Sequence, residues 1–216
     1  MTVSVYLADD HRIMRDGLRT LIEARPGLRV IGESGDGRVT VREVVRLKPD
    51  VVLLDIAMPG LNGIEAAREI RRRCPAVEII ILSMHSTNEH VYRALEAGAR
   101  GYLLKECAGP EVIEAVLAAK AGRRYLSGKI SEREVEEFRR RREAGKTASP
   151  LDRLSPRERE ILQLVVEGKS SAAIAKIVFL SPKTVETYRS RLMKKLEVAD
   201  LPSLIRYAVA NGLTPA

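Results

Sequence analysis

The first 126 residues alternate five times between a short run of aliphatic residues and a longer stretch whose apolar residues recur at helical spacing. This alternation is typical of strand–helix units that build a parallel sheet, and strands so rich in aliphatic residues are covered on both faces. The predicted strands are Val3–Ala8, Leu28–Glu33, Val51–Leu54, Glu78–Ser83 and Gly101–Leu104. The pattern predicts an α/β fold, a (βα)5 doubly wound parallel sheet, for residues 1–126.

The rest of the chain divides into a charged segment and a helical one. Residues 127–150 contain the arginine run Arg139–Arg142 and end in a stretch with nothing to bury, so we predict a linker between domains there. For the arginine run, a solvated helix face is favoured over contact with DNA phosphates. Residues 151–216 carry four short helical patterns with clear start signals, such as Ser155-Pro156 followed by Glu158. They predict a small all-α, four-helix domain.

The excess of positive charge lies in the C-terminal part of the chain. Residues 127–216 contribute +6 of the net charge of +8, from 18 Lys and Arg against 12 Asp and Glu. This balance favours a polyanionic partner for that part. Uninterrupted aliphatic runs reach four residues, whereas a membrane helix needs about 20, and the N-terminus lacks a signal-peptide pattern. We therefore expect no membrane partner and a cytoplasmic location.

Polar residues follow or end four of the five predicted strands. Asp9 and Asp10 follow the first strand, Asp55 the third and Lys105 the fifth, and Ser83 ends the fourth. The carboxyl ends of parallel strands meet at one edge of a sheet, so we expect these side chains to share a pocket. Crowded carboxylates need a cation to offset them, and oxygen ligands suit Mg²⁺. The arrangement predicts a metal-assisted phosphoryl site with Asp55 as nucleophile, and with Lys105 and Ser83 at phosphoryl oxygens.

Each of these residues taken alone has a plainer interpretation. An aspartate such as Asp10, placed just before a helix, is more often a helix cap than a ligand. Lys105 alone would be surface charge, and Ser83 alone a turn residue. Their simultaneous placement at strand ends is what indicates a functional site.

Roughly residues 1–126 resemble the receiver domain of bacterial two-component response regulators. The resemblance is carried by these strand-end residues, by the sequence Leu54-Asp55-Ile56-Ala57-Met58-Pro59-Gly60 around Asp55, and by Gly101–Lys105. The resemblance implies that a sensor histidine kinase donates phosphate to Asp55. It also implies a Mg²⁺ site formed by Asp10, Asp55 and the backbone carbonyl of Ala57, with Asp9 assisting.

The same resemblance implies a switch pair, Ser83 and Tyr102. New charge at Asp55 would attract the Ser83 hydroxyl and leave space that the Tyr102 ring fills. Without the resemblance, the plainer alternative for Tyr102 is a strand residue with its hydroxyl in solvent. Ala57 and His85 stand where receivers tune phosphate lifetime; neither offers an acid or carboxamide to orient water, which predicts a long-lived phosphoryl group.

The third predicted helix of the C-terminal domain has one apolar and one polar, basic face. Residues 183–195 contain five basic residues and one acidic residue. Such a helix suits the DNA major groove, although a solvated helix face explains the charge equally well in isolation. The candidate phosphate contacts are Lys183, Arg191, Lys194 and Lys195; the candidate base contacts are Glu186, Thr187 and Ser190, with Thr184 at the margin of the face.

The segments Leu154–Glu160, Glu167–Ser171 and Leu180–Val185 resemble a LuxR-type helix-turn-helix that spans nearly all of residues 152–212. Both resemblances together make the chain similar to NarL/FixJ-type response regulators. In that family the fourth helix, here about Asp200–Asn211, mediates dimerisation; packing of the domain is the alternative role for its apolar residues.

We therefore predict a phosphorylation-switched, DNA-binding transcription regulator that is not an enzyme. Its expected partners are a sensor histidine kinase, double-stranded promoter DNA, and a second copy of the chain upon phosphorylation or DNA binding. Two alternatives stay open at this point. One is a Mg²⁺-dependent phosphoester hydrolase that uses the acidic pocket, and the other is a protein-binding receiver with an RNA-binding tail.

Overall fold

The computed structural model describes residues 2–145 and 149–210. The chain forms two compact units, the first ending at Glu143 and the second beginning at Ala144. Each unit has its own hydrophobic core, as expected of separate domains. None of the helices in the described ranges has the length and apolar character that crossing a lipid bilayer requires.

Six strands form the sheet of the first unit: β1 (Val3–Ala8), β2 (Leu28–Ser34), β3 (Val51–Asp55), β4 (Glu78–Ser83), β5 (Gly101–Leu104) and β6 (Tyr125–Leu126). All pairs are parallel, and the strands lie in the order β2-β1-β3-β4-β5-β6. The winding direction reverses between β1 and β3, so the carboxyl ends of these two strands adjoin where ligands of such sheets bind. The predicted α/β fold class is confirmed.

Helices cover both faces of this sheet: α1 (Arg12–Glu23), α2 (Gly37–Leu47), α3 (Gly63–Arg73), α4 (Asn88–Glu96) and α5 (Ala108–Lys120). The helices α1 and α5 share one core with alternate strand residues such as Leu53. The helices α2, α3 and α4 share the other core with the intervening residues such as Leu54. Side chains that alternate between two buried faces explain why the strands are aliphatic throughout.

The segment after the fifth strand differs from the linker predicted for residues 127–150. The sheet gains β6, and a helix, α6 (Glu132–Glu143), follows. Ile130 and Val135 join the core that holds α4, and the Phe138 ring packs 5.7 Å from that of Tyr92. These few apolar residues lie among many charged ones, so the sequence shows no clear apolar pattern in this segment. Residues 146–148 of the predicted linker lie outside the described residues, and the domain boundaries at 126 and 150 stay predictions.

The second unit is all-helical: α7 (Pro156–Val166), α8 (Ser171–Val178), α9 (Pro182–Leu196) and α10 (Leu201–Ala210). The predicted capping box at the start of α7 is present, because Ser155 and Glu158 each accept a hydrogen bond from the other's backbone N–H. Ser181 caps α9 by accepting from the Thr184 N–H at 3.1 Å. The predicted small four-helix fold is confirmed; the end of its fourth helix at Asn211 lies outside the described residues.

Candidate functional site

The carboxyl ends of β1 and β3 bring together an acidic pocket. Four residues, Asp9, Asp10, His11 and Asp55, each offer one potential ligand atom, and these atoms all lie within 4.8 Å of one another. Asp9 and Asp55 are buried, whereas Asp10 is partly exposed and His11 is largely exposed. Hard carboxylate oxygens at this spacing, with one side open to solvent, are the donor set that suits Mg²⁺.

Lys105, directly after β5, reaches the same pocket. Its Nζ lies 2.8 Å from Asp9 Oδ2 and 2.9 Å from Asp55 Oδ2. Burial lowers the pKa of Lys105, but the charge of Asp55 and the hydrogen bonds to Asp9 and Asp55 outweigh it and leave the pKa raised. The ammonium group is therefore charged and fixed beside the carboxylate predicted to be the nucleophile.

Asp55 is held in surroundings that oppose its charge. Burial, followed by the charge of Asp9, raises the pKa of Asp55 to about 6 despite the opposing charge of Lys105. Three carboxylates and one ammonium group leave negative charge in excess, which a bound cation would offset. The donor set and its charge thus fit a divalent cation on chemical grounds.

The backbone around Asp55 is fixed by a close approach from α3. A Cβ atom on Gly63 would lie 2.0 Å from the Asp55 carbonyl oxygen, so only glycine fits there. The Gly63 N–H also donates to the Ile56 carbonyl at 2.9 Å. Ala57 lies in the β3–α3 loop closed by these contacts, two residues after Asp55.

Ser83 and Tyr102 meet at the backbone of a third residue, His85. The His85 N–H donates to Ser83 Oγ at 3.0 Å, and the Tyr102 hydroxyl donates to the His85 carbonyl at 2.7 Å. The Tyr102 side chain is fully buried, and its burial raises its pKa. The structure therefore places the Tyr102 hydroxyl inside the unit and not in solvent.

His11 was not predicted as a member of this site, and His85 was singled out for its position but not for the contacts of its backbone. His11 Nδ1 lies 2.7 Å from Asp10 Oδ1 and 3.3 Å from Asp9 Oδ1; its position directly after Asp9-Asp10 was the available signal. His85 contributes through its backbone N–H and carbonyl. Because every residue type except proline supplies both groups, no sequence signal identifies that role.

The polar face predicted on α9 is present. The described side chains that are exposed on it are Lys183, Glu186, Thr187, Ser190, Arg191 and Lys194. Thr184 is half-buried next to the helix cap, with its Oγ1 2.7 Å from Ser181 Oγ. Lys195 differs from the rest because its Nζ lies 2.7 Å from Glu158 Oε2, which ties α9 to α7.

The apolar residues of α10 divide between two environments. Leu204 and Ala208 are buried in the core of the second unit, so they pack the domain. Leu201 and Ile205 are exposed. A dimer contact through α10 would therefore use the latter pair.

An acidic pocket at the carboxyl edge of a parallel sheet, joined in one chain to a helix-turn-helix unit, defines a class of signal-dependent DNA-binding regulators. The sequence pattern of the response regulator receiver domain matches residues 5–117, and that of the luxR family of bacterial regulatory proteins matches residues 152–208. The chain belongs to the two-component response regulators that combine these two domains.

Individual relatives agree with this assignment over the whole chain. The transcriptional regulatory protein LiaR of Bacillus subtilis (strain 168) is 39% identical over 211 residues, which cover 98% of this chain and 99% of LiaR. A structure of RcsB from Salmonella enterica serovar Typhimurium is 29% identical with a TM-score of 0.64, covering 96% of this chain and 98% of RcsB. A second RcsB structure gives 28% identity and a TM-score of 0.60, covering 97% of this chain and 99% of RcsB.

Proposed function

We propose that Asp55 accepts a phosphoryl group from a phosphohistidine of a sensor histidine kinase. The observation that carries this proposal is the position of Asp55 between two buried partners, Asp9 and the Lys105 ammonium group. An oxygen of Asp55 attacks phosphorus, an O–P bond forms, and the N–P bond to the donor histidine breaks, leaving the nitrogen with the electron pair.

The surrounding side chains hold the incoming group. Lys105 Nζ, already charged and within reach of Asp55, pairs with one phosphoryl oxygen, and the Ser83 hydroxyl donates to another. Asp9, Asp10, Asp55 and the Ala57 carbonyl are the proposed ligands of Mg²⁺. When bound, Mg²⁺ supplies positive charge that offsets the carboxylates and the phosphoryl oxygens.

Ser83 and Tyr102 then transmit the effect of phosphorylation to the neighbouring loop. Moving the Ser83 hydroxyl towards the phosphoryl group removes the acceptor of the His85 N–H bond, and Tyr102 holds the carbonyl of the same residue. The loop that leads into α4 is therefore bonded to both members of the switch pair. A charge change at Asp55 alters the start of α4 by this route.

The output is binding of promoter DNA as a homodimer, with α9 in the major groove. The exposed polar face of α9 supports this, as do the relatives: one RcsB structure is bound to promoter rprA in the presence of the phosphomimetic BeF3−, and the other contains two RcsB dimers bound to two parallel DNAs. We propose a regulator and not an enzyme, acting in the cytoplasm, where promoter DNA is found.

Labelling with acetyl phosphate and Mg²⁺ tests the phosphoacceptor. We expect one phosphoryl group per wild-type chain and none on Asp55→Asn. Asp16→Asn, at an exposed aspartate of α1, serves as the matched control and should label like the wild type. Labelling of Asp55→Asn at the wild-type stoichiometry would contradict the proposal.

A further inference from the structure

Phe179 lies in the turn between α8 and α9 and displays its ring to solvent. It is the most exposed large apolar side chain of the described residues, at 92%. The ring therefore contributes almost nothing to the core of the second unit. A role for the side chain has to be sought outside that core.

The backbone of Phe179 is left-handed, with φ +55° and ψ +49°. A residue with a Cβ atom is strained in this region, whereas glycine adopts it freely. Strain that persists in a folded protein is held by its surroundings and is found at functional sites. The chain thus keeps a bulky ring at a position where glycine would give the more stable turn.

The turn that carries the ring is fixed by several hydrogen bonds. The N–H groups of Phe179 and Leu180 both donate to the Ala175 carbonyl, the second at 2.9 Å. The Arg157 guanidinium, from α7, donates to the Val178 carbonyl. The backbone that carries the ring is therefore held in place, so the turn itself needs little further ordering when the ring binds a partner.

We propose that the Phe179 ring contacts a thymine methyl group at the edge of the DNA major groove. Phe179 lies two residues before Ser181, the N-cap of α9, and four residues before Lys183, the first residue of the exposed polar face of that helix. In a helix-turn-helix the N-terminal end of the second helix contacts base edges. The thymine methyl is the apolar group of that groove and accepts a phenylalanine contact. This inference rests on the proposed DNA binding by α9.

The first test compares the full chain with Phe179→Gly and Phe179→Asn on a duplex selected by the wild type from a random pool. Both substitutes tolerate a left-handed backbone, so neither should lower the melting temperature. Each should weaken binding about tenfold, because the apolar contact is lost. The matched control is Lys48→Gly, which relieves the same kind of left-handed cap, φ +48°, in the first unit; its DNA affinity should equal that of the wild type.

The second test removes the methyl groups one at a time by replacing each thymidine of the duplex with deoxyuridine. At one position in each half-site the wild type should bind about fourfold more weakly, the value of one buried methyl group. Phe179→Gly should not respond at that position. If deoxyuridine affects the wild type and Phe179→Gly equally at every position, the thymine contact is wrong.

The remaining outcomes separate this inference from the proposed function. Tight wild-type binding that neither Phe179 variant weakens overturns the contact alone. Variants that bind DNA normally but fail to activate transcription in vitro also overturn it, since the ring would then meet a protein. If the wild type selects no duplex at all, the proposed DNA binding itself fails.

Discussion

At the scale of single residues, the acidic pocket makes ionisation of the Asp55 carboxyl group unfavourable in the folded state. The pKa of Asp55 is about 6 in the folded chain against 3.8 in the unfolded one, chiefly because of burial and then because of Asp9. Between these two values the folded state binds more protons than the unfolded state. Its stability therefore falls as the pH rises through the window from about 4 to about 6.

We expect Asp55→Asn to raise the free energy of unfolding of the first unit by about 1–3 kcal/mol at pH 7, because the buried charge is removed. The gain should shrink as the pH is lowered towards 4, since wild-type Asp55 is then protonated when folded. Urea unfolding of both proteins in the presence of a chelator measures it. An Asp55→Asn chain that is less stable than the wild type at pH 7 would contradict this account.

Asp50, at the other end of β3, provides a control because its pKa is shifted in the opposite direction. Burial raises its pKa, but hydrogen bonds from Lys120 and Ser4 outweigh the burial and leave the pKa lowered. The stability that Asp50 contributes is present above its unfolded pKa and is lost as the pH falls through its folded pKa. Asp50→Asn should therefore destabilise the first unit at pH 7, measured by the same urea unfolding.

At the scale of elements, α9 contains two neighbouring lysines with different roles. Lys194 is exposed, whereas Lys195 is paired with Glu158. We expect Lys194→Ala to reduce the salt dependence of DNA binding, the slope of log K against log salt concentration, by about 1, because one phosphate contact is lost. Lys195→Ala, the matched control, should leave the slope nearly unchanged. Equal slopes for Lys194→Ala and the wild type would argue against that phosphate contact.

The helix α6 is the second element whose role can be measured. Val135 is 4% exposed and belongs to the core shared with α4. Val135→Ala should lower the free energy of unfolding of the first unit by about 1–3 kcal/mol. Arg133→Ala, at a side chain that is 88% exposed on the same helix, should change it by less than about 0.5 kcal/mol. If Val135→Ala is equally harmless, the segment acts as the linker that its charge first suggested.

The sequence was sufficient to predict the strands and helices that have several local signals each, such as an aliphatic run or a helix cap. Five aliphatic runs predicted β1 to β5, and serine caps predicted α7 to α9, because period and capping are local properties. The sequence did not predict that Ile130 and Val135 join the core shared with α4, because these two residues lie among charged ones. Strand-end residues predicted the acidic pocket, since parallel topology brings them to one edge. Contacts made by backbone groups, as at His85, could not be predicted because they do not depend on the type of side chain.

At the scale of the whole molecule, one chain contains a receiver unit and a DNA-binding unit that each have their own core. A regulator of this kind functions only if phosphorylation of the first unit changes the DNA affinity of the second. Coupling between two sites is typically about 1–3 kcal/mol, which corresponds to a change in affinity of about 5–150-fold. The coupling also has to act in both directions, so promoter DNA should stabilise the phosphorylated form.

The most direct measurement is the affinity of the full chain for a selected promoter duplex, with and without acetyl phosphate and Mg²⁺, for the wild type and for Asp55→Asn. The account predicts that phosphorylation tightens wild-type binding within the range of about 5–150-fold and leaves Asp55→Asn unchanged. Equal affinity of phosphorylated and unphosphorylated wild type, or a full response of Asp55→Asn, would contradict it.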